Sequence, residues 1–174
     1  MKKYFAHLPI YLAYAVGASY LGLLGLLVLN IIIKFITSNE AVQNFMFSIA
    51  NELVACVALF ILFRIAGNKN TRGNAIRIGE EIPAIILAQV CNLLLNVIFR
   101  LTLPGALHVV YFVDFLNNRT ITVADVWSAH KTEALLLYLL FSAAGGVFSV
   151  LGYISGAKKR IAERAVLTGE RSET

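Results

Sequence analysis

From Leu8 to Ile33 the chain runs 26 residues without a charged side chain. A helix needs about 20 apolar residues to cross a bilayer core, so this one stretch is long enough to span. Three further runs follow. Phe45–Phe63 carries one charge, Glu52, and Ile82–Phe99 and Ala134–Ile154 carry none. Backbone polar groups in lipid must bond within their own segment or within a closed barrel. These runs are continuous rather than alternating, so they predict helices. Composition agrees, with 59% hydrophobic residues, 14% charged residues and a mean hydropathy of +0.75. Soluble domains hold roughly 45–50% apolar and about 25% charged residues. A disordered chain, a collagen-like fibre and an ordinary water-soluble enzyme are excluded. The expectation is an all-α integral membrane protein. It is a four-helix transmembrane bundle in one domain, with spans near 8–33, 45–63, 82–99 and 134–154.

A fifth apolar run, Leu103–Leu116, is shorter. Pro104-Gly105 sets it off from the third span, and it contains His108 and Asp114. A continuous helix from Ile82 to Leu116 would be about 52 Å long at 1.5 Å per residue. That overshoots a hydrocarbon core of roughly 30 Å. The run therefore predicts an amphipathic or re-entrant segment within the loop that joins the third and fourth spans. In the same loop Thr122 and Asp125 have the spacing of a capping box. They predict a helix that starts at Val123 and runs straight into the fourth span.

Eleven of the 15 Lys and Arg residues fall on one side of this topology and four on the other. The positive-inside rule puts the larger set, with both termini, in the cytoplasm of a plasma (inner) membrane. Lys2-Lys3 followed by an apolar stretch resembles the start of a signal peptide. The stretch, however, is far longer than an h-region of about 7–15 residues, so an uncleaved first span is expected. Residues 158–174 form a basic tail on the same side, suited to anionic lipid. The net charge of +5 is spent on these flanks rather than on a nucleic-acid-reading face. No nucleic-acid partner is expected.

Chemistry concentrates in the third span. Gln89, Asn92, Asn96 and Arg100 are spaced 3, 4 and 4 residues apart, which at about 100° per residue puts them on one face. Unpaired amides in hydrocarbon are costly, so this face should look into the bundle. Glu52 is the one acid well inside a span. Antiparallel bookkeeping levels it with Leu93, between Asn92 and Asn96, with Ser142 at similar depth. A polar cluster of these groups would act either as interhelical glue or as a site for a cation, a proton or a small polar solute. A second pattern serves packing. Ser142, Gly145, Ser149 and Gly152 share a face of the fourth span, and Gly22 and Gly25 share one on the first. Small faces let helix backbones approach closely.

Cys56 and Cys91 lie inside apolar runs and read as small buried hydrophobes. No metal-binding spacing and no hydrolase or phosphate-loop motif occurs. No catalytic residue, metal or cofactor is expected. The chain should be a non-enzymatic subunit or accessory component of a membrane assembly, contacting membrane lipids and another membrane protein or its own copies. The alternative is a small transporter or channel that uses Glu52 and the third-span stripe.

Overall fold

A computed structural model describes residues 6–71, 78–99, 103–117 and 119–168. The described residues form six helices: α1 (Leu8–Ile36), α2 (Glu40–Asn70), α3 (Ile78–Ile98), α4 (Leu103–Asn117), α5 (Val123–Ala129) and α6 (Lys131–Thr168). Four of them, α1, α2, α3 and α6, contain stretches long and apolar enough to cross a membrane.

Local chemistry sets the boundaries. Pro9 sits in the first turn of α1, where its missing N–H and fixed φ suit a helix start. The Asn39 side chain caps α2 by accepting from the N–H groups of Ala41 and Val42. α2 then runs 31 residues, about 46 Å. It extends beyond the apolar run at both ends. α6 is longer still, at 38 residues. Lys158 to Thr168, the described part of the basic tail, form its last turns.

One sequence expectation is corrected. The Thr122–Asp125 capping box forms and α5 begins at Val123, but it does not continue into the fourth span. His130 leaves helical geometry at φ −121° and ψ 31°. Its N–H bonds back to the Val126 carbonyl, and its own carbonyl accepts from Ala134 N–H to start α6. The break turns α5 so that buried Val126 packs with α4 and Tyr138.

α2 is the central element, and its packing on α6 is governed by glycine. A Cβ on Gly152 would collide with the Phe60 carbonyl oxygen, and one on Gly156 with the Arg64 carbonyl oxygen. The relation is reciprocal, since a Cβ on Gly67 of α2 would collide with the Tyr153 carbonyl oxygen of α6. On the other side of α2, a Cβ on Gly22 would lie 2.9 Å from Asn51 Oδ1, and one on Gly25 2.8 Å from Val54 Cγ1. Backbones this close are possible only where a side chain is missing.

The core falls into two main apolar clusters. Tyr11, Ala15, Leu59, Phe63, Ile85 and Tyr153 belong to one, drawn from α1, α2, α3 and α6. The other gathers Val109, Val110 and Val113 of α4 with Val126, Ala134 and Tyr138. At one end of the bundle a polar network ties three helices together. The Tyr11 hydroxyl donates to Glu81 Oε2 at 2.6 Å, and His7 Nδ1 lies 3.0 Å from Glu81 Oε1. Asn70 Nδ2 donates to the Tyr11 oxygen at 3.0 Å. α1, α2 and α3 are thereby joined around a buried carboxylate.

Candidate functional site

Between the two apolar clusters lies a cavity of about 50 Å³. Five helices contribute to its wall. α1 supplies Ala15 and Ser19, and α2 supplies Glu52, Ala55 and Leu59. α3 supplies Gln89, Asn92, Leu93 and Asn96, α4 supplies Gly105 and His108, and α6 supplies Tyr138, Phe141, Ser142 and Gly145. Glu52, Gln89, Asn92 and Asn96 therefore face a common space. Arg100, the outermost member of the sequence stripe, lies outside the described residues.

The stripe divides by partner. Gln89 is buried at 4% exposure, and its Nε2 donates to Ser149 Oγ at 2.9 Å. Ser149 in turn donates to the Gly145 carbonyl, and Ser142 donates to the Gln89 carbonyl. This part of the stripe bonds α3 to α6. Asn96 Nδ2 instead donates to the Asn92 carbonyl one turn back. The side-chain oxygens of Asn92 and Asn96 are buried with no hydrogen-bond partner, although Asn96 as a whole is 6% exposed. The Glu52 carboxylate accepts from Cys56 Sγ–H at 3.4 Å. Among the described residues no hydrogen bond joins Glu52 to Asn92 or Asn96, so the groups share a wall without being paired.

Sequence reasoning did not anticipate α4 in this wall. Gly105 admits it, because a Cβ there would collide with Asn96 Oδ1. One turn on, His108 is buried among Tyr138 and Phe141, with ring centroids 6.1 and 4.7 Å away. Asn51 Nδ2 lies 3.0 Å from His108 Nδ1, and Ser48 Oγ–H donates to the His108 carbonyl at 3.0 Å. With the amide as donor, the neutral ring carries its proton on Nε2. The available signal was the i, i+3 spacing of Gly105 and His108, which puts a small residue and a polar one on one face of α4.

The remaining predicted positions have other surroundings. Gly145 approaches Leu59 Cδ1, and Gly152 meets the α2 backbone as described. Cys56 is buried but also donates to Glu52, while Cys91 is half-buried. Among the described residues no three His, Cys, Asp or Glu side chains converge. On the far side of Gln89, Leu93 and Ser142, α3 and α6 diverge into a surface groove of about 540 Å³.

Chemically, the cavity wall combines the acceptors of Glu52, Asn92 and Asn96 with donors on the His108 ring and on the Ser19, Tyr138 and Ser142 hydroxyls. Glu52 supplies one carboxyl group, negatively charged when ionised, and Asn92 and Asn96 add carbonyl-type oxygens. Lys and Arg are absent from its described lining. An unpaired buried acceptor costs about 1–3 kcal/mol, so the arrangement calls for a donor. A water needs roughly 10–15 Å³ of probe-occupied space, which leaves room here for water or a small cation. Comparison with protein-family models, curated proteins and solved structures finds no match to this chain.

Proposed function

We propose that this chain is a small membrane protein that binds, and carries or conducts, a monovalent cation or small donor-bearing solute at the cavity between its helices. The observation that carries this reading is the pair of unpartnered oxygens, on Asn92 and Asn96, in a cavity shared with the Glu52 carboxylate. One carboxylate balances one positive charge, and neutral oxygens replace the hydration of a cation or bond an ammonium group. A structural pairing of the stripe would instead have left these oxygens bonded, as Gln89 is. Four long apolar helices provide the span. The excess of Lys and Arg on one side orients both termini toward the cytoplasm, with α4 and α5 on the opposite face.

A second reading, as a subunit of a membrane assembly, draws on α1. Its second half exposes Leu27, Val28, Ile31, Phe35 and Ile36, and includes Asn30, whose Oδ1 is buried without a partner. A neighbouring helix, from another protein or a second copy, would cover that stretch.

The test is equilibrium binding of radiolabelled methylammonium to the protein in phosphatidylcholine nanodiscs. Saturable binding is expected in the wild type, and Glu52→Gln should weaken it by about tenfold or more, the equivalent of 1.4 kcal/mol. Glu133→Gln, which removes an exposed carboxylate outside the cavity lining, should leave it near wild type. Equal binding by wild type and Glu52→Gln would remove the cavity reading and leave the assembly reading standing.

A further inference from the structure

The cavity has a second neighbour besides its own polar wall. The groove between α3 and α6 is lined by Ile86 and Val90 on one side and by Leu139, Val147 and Leu151 on the other. These five side chains are about half exposed on the outer surface of the bundle, so in a membrane they face lipid. Gln89, Leu93 and Ser142 line the groove and also line the cavity. An apolar surface open to lipid and a polar chamber thus lie back to back, with these three side chains at the boundary.

The boundary is built from adjustable parts. Ser142 is small, and its hydroxyl makes a long 3.4 Å bond to the Gln89 carbonyl. Leu93 is a flexible apolar side chain. Gly146 at the groove has nothing within 4 Å of the position a Cβ would take, so that part of the surface is open space. The volume of about 540 Å³ falls in the range of roughly 300–1,000 Å³ typical of small-molecule sites.

We infer that the ligand of the cavity is a cationic amphiphile, a long-chain amine or alkylammonium. It enters sideways from the bilayer, with its alkyl chain in the α3–α6 groove and its charged head against Glu52, Asn92 and Asn96. This deepens the reading of the cavity as a cation site and rests on it. Charge complementarity selects the head. The described wall offers a carboxylate and carbonyl-type oxygens and no Lys or Arg, which suits an ammonium and repels a carboxylate or phosphate. The bilayer selects the tail. An alkyl chain is already concentrated in lipid, so the groove need only admit it and need not add affinity of its own. The carbon next to the head crosses at the boundary formed by Gln89, Leu93 and Ser142.

The experiment is displacement of radiolabelled methylammonium from the protein in phosphatidylcholine nanodiscs, with empty nanodiscs as blank. Dodecylamine should displace the label and dodecanoate should not. In Gly146→Leu, the new side chain fills the groove from a position outside the cavity lining. That variant should still bind methylammonium, while the dodecylamine needed for half displacement should rise about tenfold or more. Glu52→Gln should lose both ligands. Equal dodecylamine displacement in Gly146→Leu and wild type, or none in either, would overturn lateral entry while methylammonium binding stood. Displacement by dodecanoate as strong as by dodecylamine would overturn the choice of head. Absence of Glu52-dependent methylammonium binding would overturn the cation site and this inference with it.

Discussion

Replacing Gly152 by alanine adds one methyl group where α2 and α6 lie closest. That methyl would collide with the Phe60 carbonyl oxygen and lie 3.0 Å from both Phe60 C and Cα. At Gly156 the added carbon would also lie 2.7 Å from Arg64 C and 2.9 Å from Asn68 N. Neither contact can be relieved by a rotamer change, because the atoms met are backbone. The helices must separate or rotate, and overpacking of this kind costs about 1–3 kcal/mol per site. Alanine is the better helix former by about 0.5–1 kcal/mol, which offsets part of the cost. The net expectation is a loss of about 1–2 kcal/mol for each single variant. The double variant should lose less than twice that, because the sites lie one turn apart in one interface and a single separation of the helices relieves both. Gly146→Ala is the internal control. It lies on the same helix with nothing within 4 Å of the added carbon, so only the propensity gain remains and stability should hold or rise slightly. The assay is reversible unfolding in mixed micelles by increasing mole fraction of a denaturing detergent, followed by helical circular dichroism. If Gly152→Ala and Gly146→Ala unfold at the same detergent fraction, α2 and α6 do not approach through these glycines and the packing argument is wrong.

Two other perturbations follow from the network at the α1 end and from the α5 cap. Glu81→Leu removes the acceptor of the buried Tyr11 hydroxyl and the partner of His7. It should cost about 1–3 kcal/mol in the same unfolding titration, and Glu81→Gln should cost less. Wild-type stability of Glu81→Leu would mean that water already serves that hydroxyl. At α5, hydrogen bonds from the Thr122 hydroxyl and then from its backbone N–H hold the Asp125 carboxyl below the usual carboxylate range. A lowered value in the folded state means that its support of the cap is complete above about pH 4. That support is lost as pH falls through the lowered value. Trp127, the one tryptophan in the chain, stacks on Tyr138 at 6.2 Å. Its fluorescence should report loss of α5 in acid. Thr122→Ala should loosen α5 at neutral pH and flatten the acid response. An unchanged acid profile in that variant would detach the cap from the transition.

The long apolar helices were legible because their signal is the length and continuity of uncharged runs, which burial in a bilayer requires. The cap at Thr122 was legible because two side chains at a fixed spacing make it. The spacing of Gln89, Asn92 and Asn96 was enough to give them one face, since helix geometry is nearly invariant. What spacing cannot supply is the partner. Nothing about Gln89 in the chain separates it from Asn96, yet one meets Ser149 and the other meets the glycine of a neighbouring helix. His108 was missed for the same reason. Its role depends on α4 packing between α2 and α6, a tertiary arrangement that local pattern does not encode. The break at His130 escaped because α5 and α6 both favour helix, and only the packing of Val126 against α4 asks the chain to turn between them.

α6 has one further consequence. From Ser142 at the cavity to Arg164 near its end, the helix is continuous over 22 residues, about 33 Å by helical rise. A continuous helix of this length behaves as a stiff lever. A tilt of about 5° with its pivot at Ser142 displaces Arg164 by about 3 Å, by the same rise. Lys159 and Arg160 flank Glu163 in ion pairs at 3.7 and 3.8 Å near that end. Gly152 and Gly156 clasp α2 along this length, so a tilt at the cavity would have to carry α2 with it to reach the basic end.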